Sequence, residues 1–203
     1  MNAPHAPRPF VGFEHFMPIW QERWQRFVVK VKPGEFYVAP PSMGISTVLG
    51  SCISACIRDP DTGIGGINHF MLPDAMEGNN RLSSASYGAF AMEQLINSLL
   101  KLGCRRDTLE VKLAGGADML SGGYRVGEQN VHFVRDYLVR EGLNLCAEDV
   151  GGRQARRLIY FPDQGRMLIK RMEAEGADQL LRDERVYREQ SREQTIHQDV
   201  ELF

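Results

Sequence analysis

Apolar and polar positions change period several times along the chain. Tyr87, Ala91, Leu95 and Leu99 recur every fourth residue, which is one face of an α-helix over 84–100. Gly103 stands just past its last turn as a stop. A second helical period covers 128–141, with Val131, Val134, Tyr137 and Leu138 on one side and Gly142 beyond the end. Between and around these helices the apolar runs are short. Residues 35–39 alternate weakly, 47–49 lead into Gly50-Ser51-Cys52, and 53–58 are apolar and β-compatible. The cluster Asp59-Pro60-Asp61-Thr62-Gly63 is a turn, after which 64–72 resume the apolar run as far as Pro73. A β-hairpin is predicted here. Further strands are predicted at 109–114, 143–147, 158–161 and 167–171, the last two joined by Pro162-Asp163-Gln164-Gly165. Strands grouped at both ends around two helices predict an α+β fold with a mixed or antiparallel sheet, not a doubly wound one.

The two ends depart from this pattern. Residues 1–9 hold three prolines and no aliphatic run, so disorder is expected there. From Phe10 onward, Phe13, Phe16, Trp20, Trp24 and Phe27 are spaced by three and four, which predicts a helix interrupted at Pro18. Such a helix would pack on the domain or dock a partner. In the tail, Arg182, Arg185, Arg188 and Arg192 would line one helical face, with Asp178–Arg182 and Glu184–Arg188 as i,i+4 pairs. A solvated helix or a frayed tail is expected.

Charge follows the same division. The 203 residues sum to −2, but 1–34 carry five basic and two acidic side chains, and 173–203 carry four basic and nine acidic. Charge therefore divides the chain at 1–34, 35–172 and 173–203, a central part between two extensions. The chain lacks the basic excess of a nucleic-acid binder. No apolar run reaches the roughly 18 residues of a membrane span, and nothing at the start reads as a secretory signal. The four cysteines, Cys52, Cys56, Cys104 and Cys146, are too loosely spaced for a disulfide framework and are expected to be reduced thiols of a cytoplasm. Cys52 and Cys56 form a CxxxC, but no second pair stands at zinc-finger spacing. Cys56, Cys104 and Cys146 are read as structural, and His132 as a surface or packing residue.

The candidate chemistry lies in the hairpin. A turn centred between Pro60 and Asp61 puts Cys52 directly opposite His69, on one face; a slip of one residue would separate them. An imidazole beside a thiol favours the thiolate nucleophile. Free N–H groups at Gly50 and Ser51 would stabilise the oxyanion formed when that thiolate attacks a carbonyl. Ser46 and Thr47 are nearby hydroxyls able to orient the imidazole. The competing reading makes Cys52 a small buried hydrophobe and His69 a hydrogen-bonded structural residue.

These residues carry a resemblance. Leu49-Gly50-Ser51-Cys52, Arg58-Asp59-Pro60 and Gly65-Gly66-Ile67-Asn68-His69-Phe70-Met71-Leu72-Pro73 resemble the signature of the chemoreceptor glutamine deamidase family (CheD). Pro33-Gly34-Glu35, Lys112-Leu113-Ala114-Gly115-Gly116-Ala117, Gly127-Glu128-Gln129-Asn130, Glu148-Asp149-Val150-Gly151-Gly152 and Arg156-Arg157 follow in the family's order. The likeness covers about 33–172, so it implies boundaries at 1–32, 33–172 and 173–203, a central domain between two extensions. It implies an α+β fold related to cysteine-hydrolase toxin deamidases, and hydrolysis of glutamine side chains on methyl-accepting chemotaxis receptors without metal or cofactor. It also implies a cytoplasmic protein peripheral to the receptor array, with a CheC-type phosphatase as a further partner. The family's nucleophile falls on Cys52 and its histidine on His69. Its third member, a threonine six positions before the cysteine, falls on Ser46, with Thr47 one residue later. Strand parity favours Ser46; a bulge near Gly50 would favour Thr47. The other class of function is a non-catalytic chemotaxis adaptor.

Overall fold

The computed structural model describes residues 5–72, 80–119 and 125–173, together with Leu180, Arg182, Glu184, Val186 and Tyr187 of the tail. Among these, ten strands form two five-stranded sheets. The first runs β1 (Ile19–Gln21), β2 (Arg26–Lys30), β4 (Gly44–Leu49), β9 (Arg156–Phe161), β10 (Arg166–Arg171) in spatial order. The second runs β3 (Phe36–Ala39), β6 (Gly65–Asn68), β5 (Ile53–Arg58), β7 (Glu110–Gly115), β8 (Asn144–Val150). Of these pairings, β2–β4 and β7–β8 are parallel and the rest antiparallel. Helices α1 (Asn80–Lys101) and α2 (Val126–Arg140) pack on the second sheet. The fold is α+β, as the pattern predicts.

The continuous apolar run of β5 now has its reason. A strand covered on both faces has no polar side to show, and Ile53 to Ile57 are all fully buried. One face of the second sheet meets the helices. Asn68 Nδ2 donates to Ala91 O of α1, and the Phe70 ring meets Phe133 of α2 edge-on at 6.2 Å. The other face meets the first sheet, where Cys56 Sγ lies 3.9 Å from Met167 Sδ of β10. Val29, Ile45, Leu49, Leu158 and Tyr160 of the first sheet join Ile53, Ile57, Leu95 and Val134 in one core.

The aromatic stretch near the N-terminus is not a helix. Pro18 supplies no N–H to a helical ladder, and the aromatics find better partners in sheets. Trp20 and Phe27 oppose each other across the β1–β2 hairpin with ring centroids 5.2 Å apart. Phe13 and Phe16 pack edge-on against Tyr37. β2 is an internal strand, and Val28, Val29 and Val31 are buried. The first sheet thus draws two strands from residues expected to form an extension, and position 33 marks no break in packing. The expectation of disorder over 1–9 falls partly, at 1–4, outside the described residues.

The hairpin forms, with a shifted register. Cys56 pairs with Ile67, Ile57 with Gly66 and Arg58 with Gly65. The turn is longer than predicted: Asp59 N donates to Ile64 O, and Gly63 N donates back to Asp59 O. Its centre therefore lies one residue later than expected, which moves every pairing by two. A two-residue shift preserves the face. Extending the register through the Ile53–Phe70 bridge puts Met71 opposite Cys52, and His69 one diagonal step away on the same side of the sheet. That side is the one facing β4.

Candidate active site

After Leu49 the chain leaves the first sheet, and at Ile53 it enters the second. Gly50, Ser51 and Cys52 lie between the ladders, so their backbone groups need partners of their own. Their carbonyls are claimed by neighbouring segments: Ala117 N donates to Gly50 O, Asn130 Nδ2 to Ser51 O, and Gly116 N to Cys52 O, each at 2.7 Å. The C=O and N–H of a trans peptide point in opposite directions. Pinning Gly50 O and Ser51 O therefore aims the N–H groups of Ser51 and Cys52 the other way. They converge with Gly50 N–H on the carboxylate of Glu184, at 3.2, 3.3 and 3.0 Å respectively. The Ser51 hydroxyl donates to the same carboxylate at 2.7 Å.

Two residues hold this loop in shape. Asn130 on α2 accepts from Leu72 N at 2.8 Å while donating to Ser51 O, so it ties both arms of the hairpin to one helix. Gly115 sits at φ 114°, and a Cβ there would stand 2.1 Å from Cys52 O. Only glycine permits that approach in that conformation. Gly116 N can then reach Cys52 O.

His69 is fully buried. Its backbone is fixed by Glu35 O, which accepts from His69 N at 2.9 Å, and by Gly34 N, which donates to His69 O at 2.8 Å. Its ring meets β4 across the two sheets: Thr47 Oγ1 lies 2.8 Å from His69 Nδ1 and 2.8 Å from Val31 O. A hydroxyl has one proton. Val31 O can only accept, so the Thr47 hydroxyl donates there and must accept from His69. Nδ1 therefore carries the proton, and Nε2 keeps a lone pair that meets no hydrogen-bond partner among the described residues. Burial drives the imidazole pKa down to about 3, an effect the Val31 carbonyl opposes, so the ring is neutral.

Ser46 lies on the opposite, half-buried face of β4, where its hydroxyl reaches Val29 O at 3.4 Å. The parity expectation that favoured Ser46 is corrected here. Parity counts only within one extended segment, and the chain bends out of its sheet at Gly50 before reaching Cys52.

Cys52 is fully buried, and its thiol pKa is raised well above the ordinary value. Burial is the largest cause, followed by the charge of Glu184 and a hydrogen bond to its carboxylate. The expected lowering of the thiol pKa by His69 does not operate, and that imidazole is neutral. A cavity of about 410 Å³ opens beside His69, lined by Thr47, Pro33, Leu180 and Tyr187 among others. Of the remaining candidates, Cys56 and Cys104 are buried, Cys146 is exposed, and His132 is an exposed partner of Asp136.

Asn130 and Glu184 had no place among the candidates drawn from the sequence. Asn130 left two signals, its place in the Gly127-Glu128-Gln129-Asn130 motif and its polarity on the buried face of an amphipathic helix. Glu184 left none, since its spacing to Arg188 reads as a solvated pair; Arg188 and Asp178 lie outside the described residues.

A thiol, a neutral base held in one tautomer and a set of converging backbone N–H groups together suit covalent cleavage of an amide or ester. Such a set of groups is what a cysteine-dependent acyl-transfer centre would use. Comparison with known proteins narrows the class. Residues 71–171 match the family described as CheD chemotactic sensory transduction. A probable chemoreceptor glutamine deamidase CheD of Hahella chejuensis is 44% identical over 209 residues, spanning 100% of this chain and 99% of that one. Its counterpart in Halorhodospira halophila is 43% identical, spanning 98% and 94%. The chain belongs to the CheD family. Among solved structures, Neisseria meningitidis protein NMB0706 aligns with a TM-score of 0.40 at 12% identity, over 66% of this chain and 74% of that one.

Proposed function

We propose that this protein is a chemoreceptor glutamine deamidase, which hydrolyses selected glutamine side chains of methyl-accepting chemotaxis receptors to glutamate and ammonia. Cys52 is the nucleophile in this reading, and His69 the general base and acid. The observation that carries it is the Thr47–His69 hydrogen bond, which fixes the proton on Nδ1 and leaves Nε2 as the free basic nitrogen. The full-length relatives named for this activity support it.

The chemistry follows from the residues. His69 Nε2 accepts the Cys52 thiol proton, and the thiolate attacks the side-chain carbonyl carbon of glutamine. The developing oxyanion is met by N–H groups of the 50–52 loop, the region expected from Gly50 and Ser51. As the tetrahedral centre collapses, the C–N bond breaks and His69 returns the proton to nitrogen, which leaves as ammonia. A thioester remains on Cys52. Water, giving a proton to His69, attacks it; the C–S bond breaks, and Cys52 regains a proton as glutamate leaves. Thr47 acts through His69 by holding its tautomer, and is a positioning residue.

Cytoplasmic receptor helices are the protein substrate, the working place is the cytoplasmic side of the receptor array, and a CheC-type phosphatase is a second partner. No described helix is long and apolar enough to cross a membrane. The test is incubation with receptor cytoplasmic fragments, followed by peptide mass mapping for amide-to-acid conversion. Conversion by the wild type and not by Cys52→Ala is expected. Conversion that survives in Cys52→Ala would overturn the nucleophile. Stable binding without conversion would favour the adaptor reading.

A further inference from the structure

The proposed reaction makes no use of Glu184, yet this residue from the charged tail is buried, with 5% of its surface exposed. Its carboxylate takes four donors, Gly50 N, Ser51 N, Ser51 Oγ and Cys52 N. Those include the N–H groups that an oxyanion at Cys52 would need. The neighbouring tail residues are anchored as well. Leu180 is buried, the Tyr187 hydroxyl is hydrogen bonded to that of Tyr87, and the Tyr187 ring lies over Gly34. Leu180, Val186 and Tyr187 wall the cavity that Thr47 and His69 also line. Leu180, Arg182, Glu184, Val186 and Tyr187 all have helical backbone.

A glutamate side chain is also what the deamidation leaves behind. We propose that the tail is a tethered product mimic: Glu184 occupies the subsite that a receptor glutamine side chain must enter, and the full chain turns over slowly because the tail must withdraw first. This rests on the deamidase reading for the identity of the subsite. The chemistry is consistent at each point. The carboxylate takes the donors meant for the oxyanion, its charge disfavours the thiolate, and the tail fills one side of the cavity. A helix-borne side chain reaching Cys52 also indicates how a receptor helix would present its glutamine.

The test uses the full-length protein, with Cys52 alkylation by iodoacetamide read by peptide mapping. Exposed Cys146 serves as an internal standard and buried Cys56 as a monitor of folding. Removing an anchor built of charge-assisted hydrogen bonds opens a site by roughly tenfold or more. Glu184→Ala is therefore expected to label at Cys52 at least about tenfold faster than wild type, with Cys56 still protected, and to convert receptor fragments faster. Unchanged labelling of Cys52, or parallel gains at Cys52 and Cys56, would overturn the mimic. Faster Cys52 labelling with no receptor conversion by either protein would overturn the deamidase reading and leave the plug standing. Glu184→Gln supplies a substrate in place. The carboxamide it introduces is expected to be hydrolysed back to a carboxylate when Cys52 is present, and to persist in the Glu184→Gln, Cys52→Ala double variant. Persistence of that carboxamide in a protein that converts receptor glutamines would overturn the assignment of the subsite.

Discussion

Replacing Thr47 by Val removes one hydroxyl and nearly nothing else from the space between the sheets. Two buried groups lose a partner: the His69 Nδ1 proton and the Val31 carbonyl, each 2.8 Å from Thr47 Oγ1. Left unpaired, each would cost about 1–3 kcal/mol. They need not both stay unpaired, because Val31 O lies close enough to act on the His69 ring. A small ring movement would let Nδ1–H donate to it directly, reducing the loss to about 1–2 kcal/mol. In a domain of this size that lowers Tm by roughly 2–8 °C. The catalytic loss is larger, because the same movement carries Nε2 away from its working position. Misplacing the general base removes about 10²-fold or more from the rate of deamidation. Thr47→Ser keeps the hydroxyl and is expected to recover most of the activity. Ser46→Ala breaks only a long, half-buried contact to Val29 O and is expected to change stability by less than about 0.5 kcal/mol, with activity near wild type. Initial rates on a receptor fragment, with thermal melts of all four proteins, decide the matter. A large rate loss in Ser46→Ala with Thr47→Val close to wild type would refute the assignment of Thr47.

Other expectations follow from the same geometry. Burial lowers the His69 pKa from 6.5 to about 3, so between those values the unfolded chain binds the extra proton and the folded chain does not. Stability should therefore rise with pH from about 3 to about 6.5 and level off above; urea melts of His69→Gln should show a shallower slope, and an equal slope would remove His69 as the cause. Asn130→Ala orphans Ser51 O and Leu72 N, for a loss of about 2–4 kcal/mol in denaturant unfolding and a fall in kcat through the 50–52 loop. Gly115→Ala drives a methyl into Cys52 O at positive φ and should cost more than about 3 kcal/mol. Gly103→Ala, at φ 89° with open space around it, should cost about 1 kcal/mol; equal losses at the two glycines would show that contact with Cys52 O is not the cause.

Much of the scaffold is legible in the sequence because burial periodicity is a local property. Tyr87, Ala91, Leu95 and Leu99 mark α1, and β5 coincides with the apolar run 53–58. The aromatics from Phe13 to Phe27 mislead because spacings of three and four suit a helix, while two short strands separated by turns can bury the same rings. The predicted hairpin register is off by two residues, because the turn cluster Asp59-Pro60-Asp61-Thr62-Gly63 fixes where a turn falls but not how many residues it uses. Face, unlike register, survives a shift of two. Cys52 and His69 therefore share a side of the sheet although they do not oppose each other.

The choice between Ser46 and Thr47 could not be read from parity, and the reason lies in how the site is built. The thiol and the imidazole stand just beyond strand ends of the second sheet, at the start of β5 and the end of β6, and the hydroxyl that meets the imidazole belongs to the first. Gly50 and Ser51 carry the chain from one to the other, so the alternation of β4 cannot be continued to Cys52. The same break frees the backbone N–H groups of this loop from any ladder and makes them available to an oxyanion. A regular strand through Gly50–Cys52 would have preserved parity and removed those donors. Irregularity here is what the proposed chemistry requires, and in this structure the donors it leaves are taken by the Glu184 carboxylate.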